Sequence, residues 1–407
     1  MSEWREMTLG EFVALQRGHD LTEPQRRIGN IPVMGSAGKN GFHDTALAKG
    51  PGIVIGRSGA SFGQVHFSAL DYWPHNTTLY VTDFKGNDQR FAYYFLKTLD
   101  FARFNSGSAQ PSLNRNFIYP IPVRIPSLTE QKCIAAVLGA LDDKIELNRR
   151  MNVTLEAIAR ALFQSWFVDF DPVRAKIDGC KPHGLNPATA ALFPDSFQDS
   201  DLGQIPAGWT VESVGEVIAC VGGATPSTSE PKYWEGGTHH WTTPKDFSSL
   251  QAPILIDTER RITDAGVAKI SSGVLPAGTL LMSSRAPVGY LAISAIPVAI
   301  NQGFIAMESN ERASNYFMLN WCQTNMPEIE ARATGTTFAE ISKQNFRPIP
   351  MAMPPEELMA VFSEKVTPLY TQISANLHQS RTLATLRDTL LPKLLRGELG
   401  VTRETLI

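Results

Sequence analysis

The feature that most restricts what this chain can fold into is that it is written twice. Trp4 opens Trp-x3-Thr-Leu-Gly-Glu-Phe12, and Trp209 opens Trp-x3-Ser-Val-Gly-Glu-Val217, 205 positions later. Gly52-Ile-Val-Ile-Gly-Arg-Ser58 recurs as Gly278-Thr-Leu-Leu-Met-Ser-Ser284, and Gly63 recurs as Gly289, both 226 positions on. A Gly107-Ser…Asn-Phe117…Pro-Ile-Pro122 segment recurs as Gly335-Thr…Asn-Phe346-Arg-Pro-Ile-Pro350. Single coincidences mean little, whereas a fixed order of them means a duplicated unit.

Each copy runs into a long periodic segment. The first seam is Ile134, Leu138, Leu141, Ile145, Asn148, Asn152, Leu155, Ala159, Leu162 and Trp166, with spacings of four and three. Adding 228 gives Phe362, Val366, Leu369, Ile373, Asn376, Ser380, Leu383, Arg387, Leu390 and Leu394. This is heptad periodicity, and Asn148 and Asn376 place a polar residue in mid-seam, a device that costs stability and fixes register. The two helices are expected to pair as an antiparallel coiled coil, fraying where Arg387 and Pro392 interrupt the second seam. At about 1.5 Å per residue the seam is a rod of roughly 50 Å, the length of about 14 base pairs of duplex. Antiparallel pairing would relate the halves by a pseudo-twofold axis, matching the symmetry of a duplex backbone.

The globular parts read as α+β. Short β-branched runs at Ile53–Ile55, Thr78–Val81, Ile121–Val123, Thr279–Leu281 and Ile293–Ile296 predict strands, while Phe91 to Leu99 and Tyr316 to Cys322 predict helices. The organisation expected is a first recognition domain (1–127), a first helix (128–170), a Pro/Gly/Asp-rich linker (171–206), a second domain (207–352), and a second helix with tail (353–407).

These features together resemble the specificity subunit of Type I restriction-modification systems. The resemblance covers nearly the whole chain. It rests on Trp209 with Gly222-Gly-Ala-Thr-Pro-Ser227, Ile31-Pro-Val-Met-Gly-Ser36, Gly56-Arg-Ser58, Trp166-Phe-Val-Asp-Phe-Asp-Pro-Val173, Asn345-Phe-Arg-Pro-Ile-Pro350 and Leu390-Leu-Pro-Lys-Leu-Leu-Arg-Gly-Glu398. It implies that each globular domain is a target-recognition domain reading one half of a split, asymmetric DNA sequence, with the helices setting the gap. It also implies that two methyltransferase subunits dock on the helices and that motor-nuclease subunits join them. S-adenosylmethionine, ATP and Mg would then sit on those partners, with no cofactor on this chain. Where the first half has Arg57-Ser58-Gly59, the second shows Ser283-Ser284-Arg285, a divergence expected of halves that read different bases.

The sequence carries no sign of its own chemistry. The Asn/Asp-Pro-Pro-aromatic loop of adenine methyltransferases does not occur, nor does a Gly-x4-Gly-Lys-Ser/Thr phosphate loop. Asp142-Asp143-Lys144 reads as a solvated helix face, and Cys180-x2-His183 and His239-His240 lack further metal ligands. The chain is therefore expected to be non-catalytic alone. Its four scattered cysteines, Cys133, Cys180, Cys220 and Cys322, fit a reducing compartment. A polar N-terminus and the lack of an 18-residue apolar run predict a cytoplasmic protein with no membrane contact.

Net charge is −3, which does not favour phosphate binding, but it is unevenly spread. Residues 1–127 hold 13 Lys and Arg against 10 Asp and Glu, whereas residues 205–350 hold 10 against 13. DNA contact must come from local clusters or be shared with a basic partner. Base edges are read best by Arg, Lys, Asn, Gln and small hydroxyls presented on loops. The candidates are Arg17, His19, Arg57, Ser58, Gln110, Asn114 and Arg115 in the first half. In the second they are Thr225, Ser227, Lys232, Lys245, Arg285, Thr337 and Lys343. Trp4, Trp209 and Phe117 read as core. The main alternative is a tandem coiled-coil scaffold that binds proteins and no DNA; an enzyme with unfamiliar motifs is the other.

Overall fold

The structure is a computed structural model and describes residues 4–107, 111–285, 287–335 and 339–401. The chain divides into two compact units. The first takes Met1–Ile145 together with Thr382–Ile407, and the second takes Glu146–Arg381.

In the first unit a four-stranded antiparallel sheet runs in the order Ala14–Arg17, Thr78–Asp83, Gly52–Gly56, Val65–Ser68. The strand Gly52–Gly56 is apolar throughout because both of its faces are covered. Ile53 and Ile55 enter the main core with Phe91, Phe95, Ile134 and Leu138, while Val54 packs on the opposite face with Met34, Tyr72 and Tyr80. A smaller sheet holds Gly38–His43, Ile31–Gly35 and Trp73–Pro74, and Arg5–Thr8 pairs with Pro122–Ile125.

The second unit repeats this plan. Its main sheet runs Cys220–Gly222, Phe304–Met307, Leu280–Ser284, Val288–Ser294, with Ile254–Leu255 added at the edge. Arg260–Ile262, His239–Thr242 and Val298–Ile300 form the smaller sheet, and Thr210–Ser213 pairs with Pro350–Met353. The Trp-led motif is a four-residue helix entry in both copies. Glu11 accepts the Thr8 N–H at 2.7 Å, and Glu216 accepts the Ser213 N–H at 2.8 Å, closing a capping box each time.

The structure corrects the register of the repeat by one residue. Leu280 and Met282 enter the main core while Leu281 packs on the other face with Val298 and Ile300. They therefore take the places of Ile53, Ile55 and Val54, an offset of 227 and not 226. A slip of one would turn every side chain of the strand to the wrong face. The later Asn-Phe match shifts likewise. Ile118 is buried where Phe346 is buried, and Phe117 is 57% exposed, so it is no core residue. Trp209 is buried and Trp4 half-buried.

The two long helices are Leu128–Phe167 and Glu356–Leu395. Within the second unit Phe167 and Phe362 meet edge-on at 4.9 Å, while Asn148 and Asn152 meet the 376–380 stretch, so the segments run antiparallel. Asn148 Nδ2 donates to Gln379 Oε1 (2.9 Å) and Ser380 Oγ (3.2 Å), and Asn376 Nδ2 donates to Asn152 Oδ1 (2.8 Å). Val366, Ile373, Asn148 and Asn376 are buried there, and Leu155, Leu162 and Leu369 are half-buried. Within the first unit Leu138 and Ile134 share a core with Leu390, Leu394 and Leu395, and Leu141, Ile145 and Leu383 are half-buried.

Three further expectations are corrected. The seam does not fray at Pro392: the helix continues to Leu395, which is buried with Leu394, and that burial outweighs one lost backbone bond. The Asp142 carboxylate is no solvated face. It accepts Tyr94 O–H and Arg387 Nη1, both at 2.6 Å, while Asp143 pairs with Arg90 at 2.7 Å. The 171–206 stretch is folded. It contains helices Asp171–Ile177 and Pro187–Ala191 and a hairpin of Phe197–Ser200 with Gly203–Pro206, and Val173, Phe193 and Ile205 join Trp166 in the second unit's core.

Candidate nucleic-acid interface

Five of the first-half candidates line one cleft. Arg17, His19, Arg57, Asn114 and Arg115 surround about 630 Å³ together with Gln16, Asn116, Ser106 and Ser112. The backbone fixes each of them. Arg57 N–H donates to the Thr77 carbonyl at 2.7 Å, and the Arg57 carbonyl accepts Leu113 N–H at 2.9 Å. Ser58 bridges Ser112 beside it. Asn114 caps the turn Arg115–Ile118 by accepting Asn116 N–H at 3.0 Å. Arg115 Nη1 donates to the Leu15 carbonyl at 2.8 Å, which the Tyr119 hydroxyl also reaches at 3.0 Å. His19 lies 3.3 Å from the Tyr80 hydroxyl, and Arg17 stands exposed with Asp20 at 3.9 Å. Three arginines against one aspartate, Asp20, make this cleft positive, and its amides and hydroxyls supply both donors and acceptors. Gln110 lies outside the described residues.

Backbone hydrogen bonds locate the same cleft in the second unit. Ile341 N–H donates to the Ser284 carbonyl at 2.9 Å as Leu113 does to Arg57, and Ala224 N–H donates to Ile300 as His19 does to Pro74. Arg347 Nη2 holds the Cys220 carbonyl at 2.6 Å, in the place where Tyr119 holds Leu15. In both units a glycine makes the close approach possible. A Cβ at Gly18 would sit 2.1 Å from the His75 carbonyl oxygen, and one at Gly223 would sit 1.9 Å from that of Ile300. The frame is thus kept while its lining changes. Gly222 stands for Arg17, Ala224 for His19, Ser284 for Arg57, Arg285 for Ser58, Ser342 for Asn114 and Lys343 for Arg115.

The second-half candidates are scattered around that frame. Lys343 begins the turn Lys343–Phe346, its Nζ 3.3 Å from where a Cβ on Gly222 would be. Thr225 donates to Gln302 at 2.6 Å, and Ser227 lies 2.8 Å from the Ser229 hydroxyl. Lys232, Lys245 and Arg285 each face a glutamate, Glu230 (3.3 Å), Glu259 (3.0 Å) and Glu340 (3.7 Å) respectively. Thr337 lies outside the described residues. Beside this loop the edge strand Arg260–Ile262 carries Arg260, whose guanidinium carbon is 3.7 Å from the centre of the Trp234 ring and 5.3 Å from that of Trp241.

A family model described as "Type I restriction modification DNA specificity domain" matches residues 1–157 and 206–379. The chain belongs to that family. It is 27% identical over 330 residues to the Type I restriction enzyme HindI specificity subunit of Haemophilus influenzae, covering 71% of each chain. Over 164 residues it is 34% identical to the MjaIX specificity subunit of Methanocaldococcus jannaschii, covering 40% of this chain and 38% of that one. The crystal structure of a Type I restriction-modification S subunit from M. genitalium shares the fold, with a TM-score of 0.59 at 18% identity over 97% of this chain and 96% of the other.

In this Type I specificity protein each matched stretch carries one copy of the repeat. Sequence reading missed Gln16 and Asn116, although both adjoin chosen arginines. It also did not single out Arg260, for which no local signal exists: Trp241 comes to it through strand pairing and Trp234 from the end of the turn Pro231–Tyr233. Among the described residues no group of three or more His, Cys, Asp or Glu side chains is placed to hold a metal ion. No helix of the described residues is long and apolar enough to cross a membrane.

Proposed function

We propose that this chain is the DNA-reading subunit of a Type I restriction-modification complex, recognising a split, asymmetric duplex sequence and doing no chemistry itself. The observation that carries this reading is one backbone frame used twice with unlike linings, Arg17, Arg57 and Arg115 in one copy against Gly222, Ser284 and Lys343 in the other. A frame kept for folding with a changed lining is what two half-sites of different sequence require, because base edges are told apart by donor and acceptor pattern.

On this reading two methyltransferase subunits bind the helical segments and bring S-adenosylmethionine. Motor-nuclease subunits add ATP- and Mg-dependent cleavage of unmodified DNA, all in the cytoplasm. The net charge of −3 fits such an assembly, in which partners supply much of the phosphate contact. The test is co-expression with a candidate methyltransferase subunit, followed by mapping of methyladenine across a genome by single-molecule sequencing. Methylation at one split motif supports the reading. A stable complex that methylates nothing overturns it in favour of a protein-binding scaffold.

A further inference from the structure

Gly222, Ser284 and Lys343 stand where the first unit has its three cleft arginines, and of the chosen cations in the second unit each except Lys343 faces a glutamate. One cation beside this cleft is held differently. Arg260 lies exposed on an edge strand with its guanidinium carbon over the Trp234 ring, 3.7 Å from its centre, and Trp234 meets Trp241 edge-on at 5.0 Å. Both indoles are tied to the loop that parallels Arg17–Asp20 of the first unit. Trp234 Nε1 donates to the Ser227 carbonyl at 2.9 Å, and Trp241 Nε1 donates to the Ala224 carbonyl at 3.3 Å. Next along the strand, Arg261 turns the other way toward Asp257, at 3.7 Å.

Stacking restricts an arginine without using its N–H groups. The ring takes the face of the guanidinium, and the donors remain along its edge in a fixed fork. A phosphate can be held by an unrestrained lysine as a point charge as well as by an arginine fork. A fork fixed in plane suits two coplanar acceptors, and in the major groove guanine offers such a pair at O6 and N7. Resting on the DNA-reading function proposed above, we propose that Arg260, oriented by Trp234, reads a guanine in the half-site of the second unit.

The experiment uses the complex with methyltransferase subunits. The wild-type motif is mapped first by single-molecule sequencing, and R260A and R260K are then mapped the same way. Arg260 is exposed, so neither change touches the core. Both variants are expected to lose roughly 10- to 100-fold of their discrimination at one guanine of one half-motif, with the other half unchanged. W234F should keep the discrimination and W234A lose part of it. In binding assays, 7-deazaguanine at that position, which lacks the N7 acceptor, should weaken the wild type and leave R260A unaffected. An unchanged motif, or uniform weakening on all sequences with a shallower salt dependence, overturns the assignment and makes Arg260 a phosphate contact. A wild-type complex that methylates no split motif overturns the DNA-reading function itself and this assignment with it.

Discussion

Arg57 is gripped on both sides by backbone, through the Thr77 carbonyl and the Leu113 N–H, so its side chain leaves a fixed point on the cleft wall. Arg57→Ala is expected to relax one position in the first half-motif only, at a cost of about 1–3 kcal/mol in discrimination, read by methylome mapping. A loss spread evenly over both halves would show that Arg57 only holds phosphate. The place of Arg57 on a loop was legible because Gly and Ser residues flank it, whereas Arg260 depends on a tryptophan 26 positions away that the turn Pro231–Tyr233 brings to it. A second effect at this scale concerns pH. Burial holds the His66 imidazole below its usual 6.5, against the pull of the Ser36 carbonyl and with help from Lys97, and burial likewise lowers His75. As pH drops below about 6.5 the unfolded chain binds protons that these folded histidines refuse, so stability should fall. Melting temperature followed from about pH 7.5 to 5.5 checks this, and His66→Gln should flatten the slope.

The helical elements were the most legible, since a heptad pattern announces both the helix and its buried side. What the pattern could not show is how its exceptions are resolved. Arg387 looks like a flaw in an apolar seam, yet it meets Asp142 in a half-buried pair that Tyr94 completes. Burial works against the Arg387 charge, and the hydrogen bonds to Asp142 and Asp388 outweigh it, so the guanidinium is held above its ordinary pKa. Removing it strands a carboxylate. Arg387→Ala should lower unfolding stability by about 1–3 kcal/mol in denaturant titrations, with Asp142→Asn restoring part of the loss. No restoration would mean that the arginine acts through its packing alone. The strand register was misread by one residue for a related reason. Both faces of Gly52–Gly56 and of Leu280–Ser284 are covered, so alternation of polar and apolar residues, the usual guide to register, is missing there.

At the scale of the molecule, each recognition fold was visible as a repeat, but the sharing of the long helices between units was not. Leu128–Ile145 and Thr382–Leu395 belong to the first unit, and Glu146–Phe167 and Glu356–Arg381 to the second. Ending the chain after Arg381 would strip Leu390, Leu391, Leu394 and Leu395 from the first unit, a loss of roughly 5 kcal/mol of apolar burial. Limited proteolysis of that truncation should cut rapidly within 1–127 and spare 207–352. Equal resistance in both would show that the C-terminal leucines are dispensable.

The same arrangement bears on how the protein is made. The first unit is begun first and finished last, because the residues that cover Ile134 and Leu138 leave the ribosome after the whole of the second unit. At about 5–20 residues per second that delay lasts roughly ten to fifty seconds. During that time the second unit is being made, while the first shows an open apolar side to the cell. A message interrupted between residues 381 and 395 would therefore yield a chain able to complete one half of its fold and not the other, and a complete first unit is a sign that synthesis has passed residue 395.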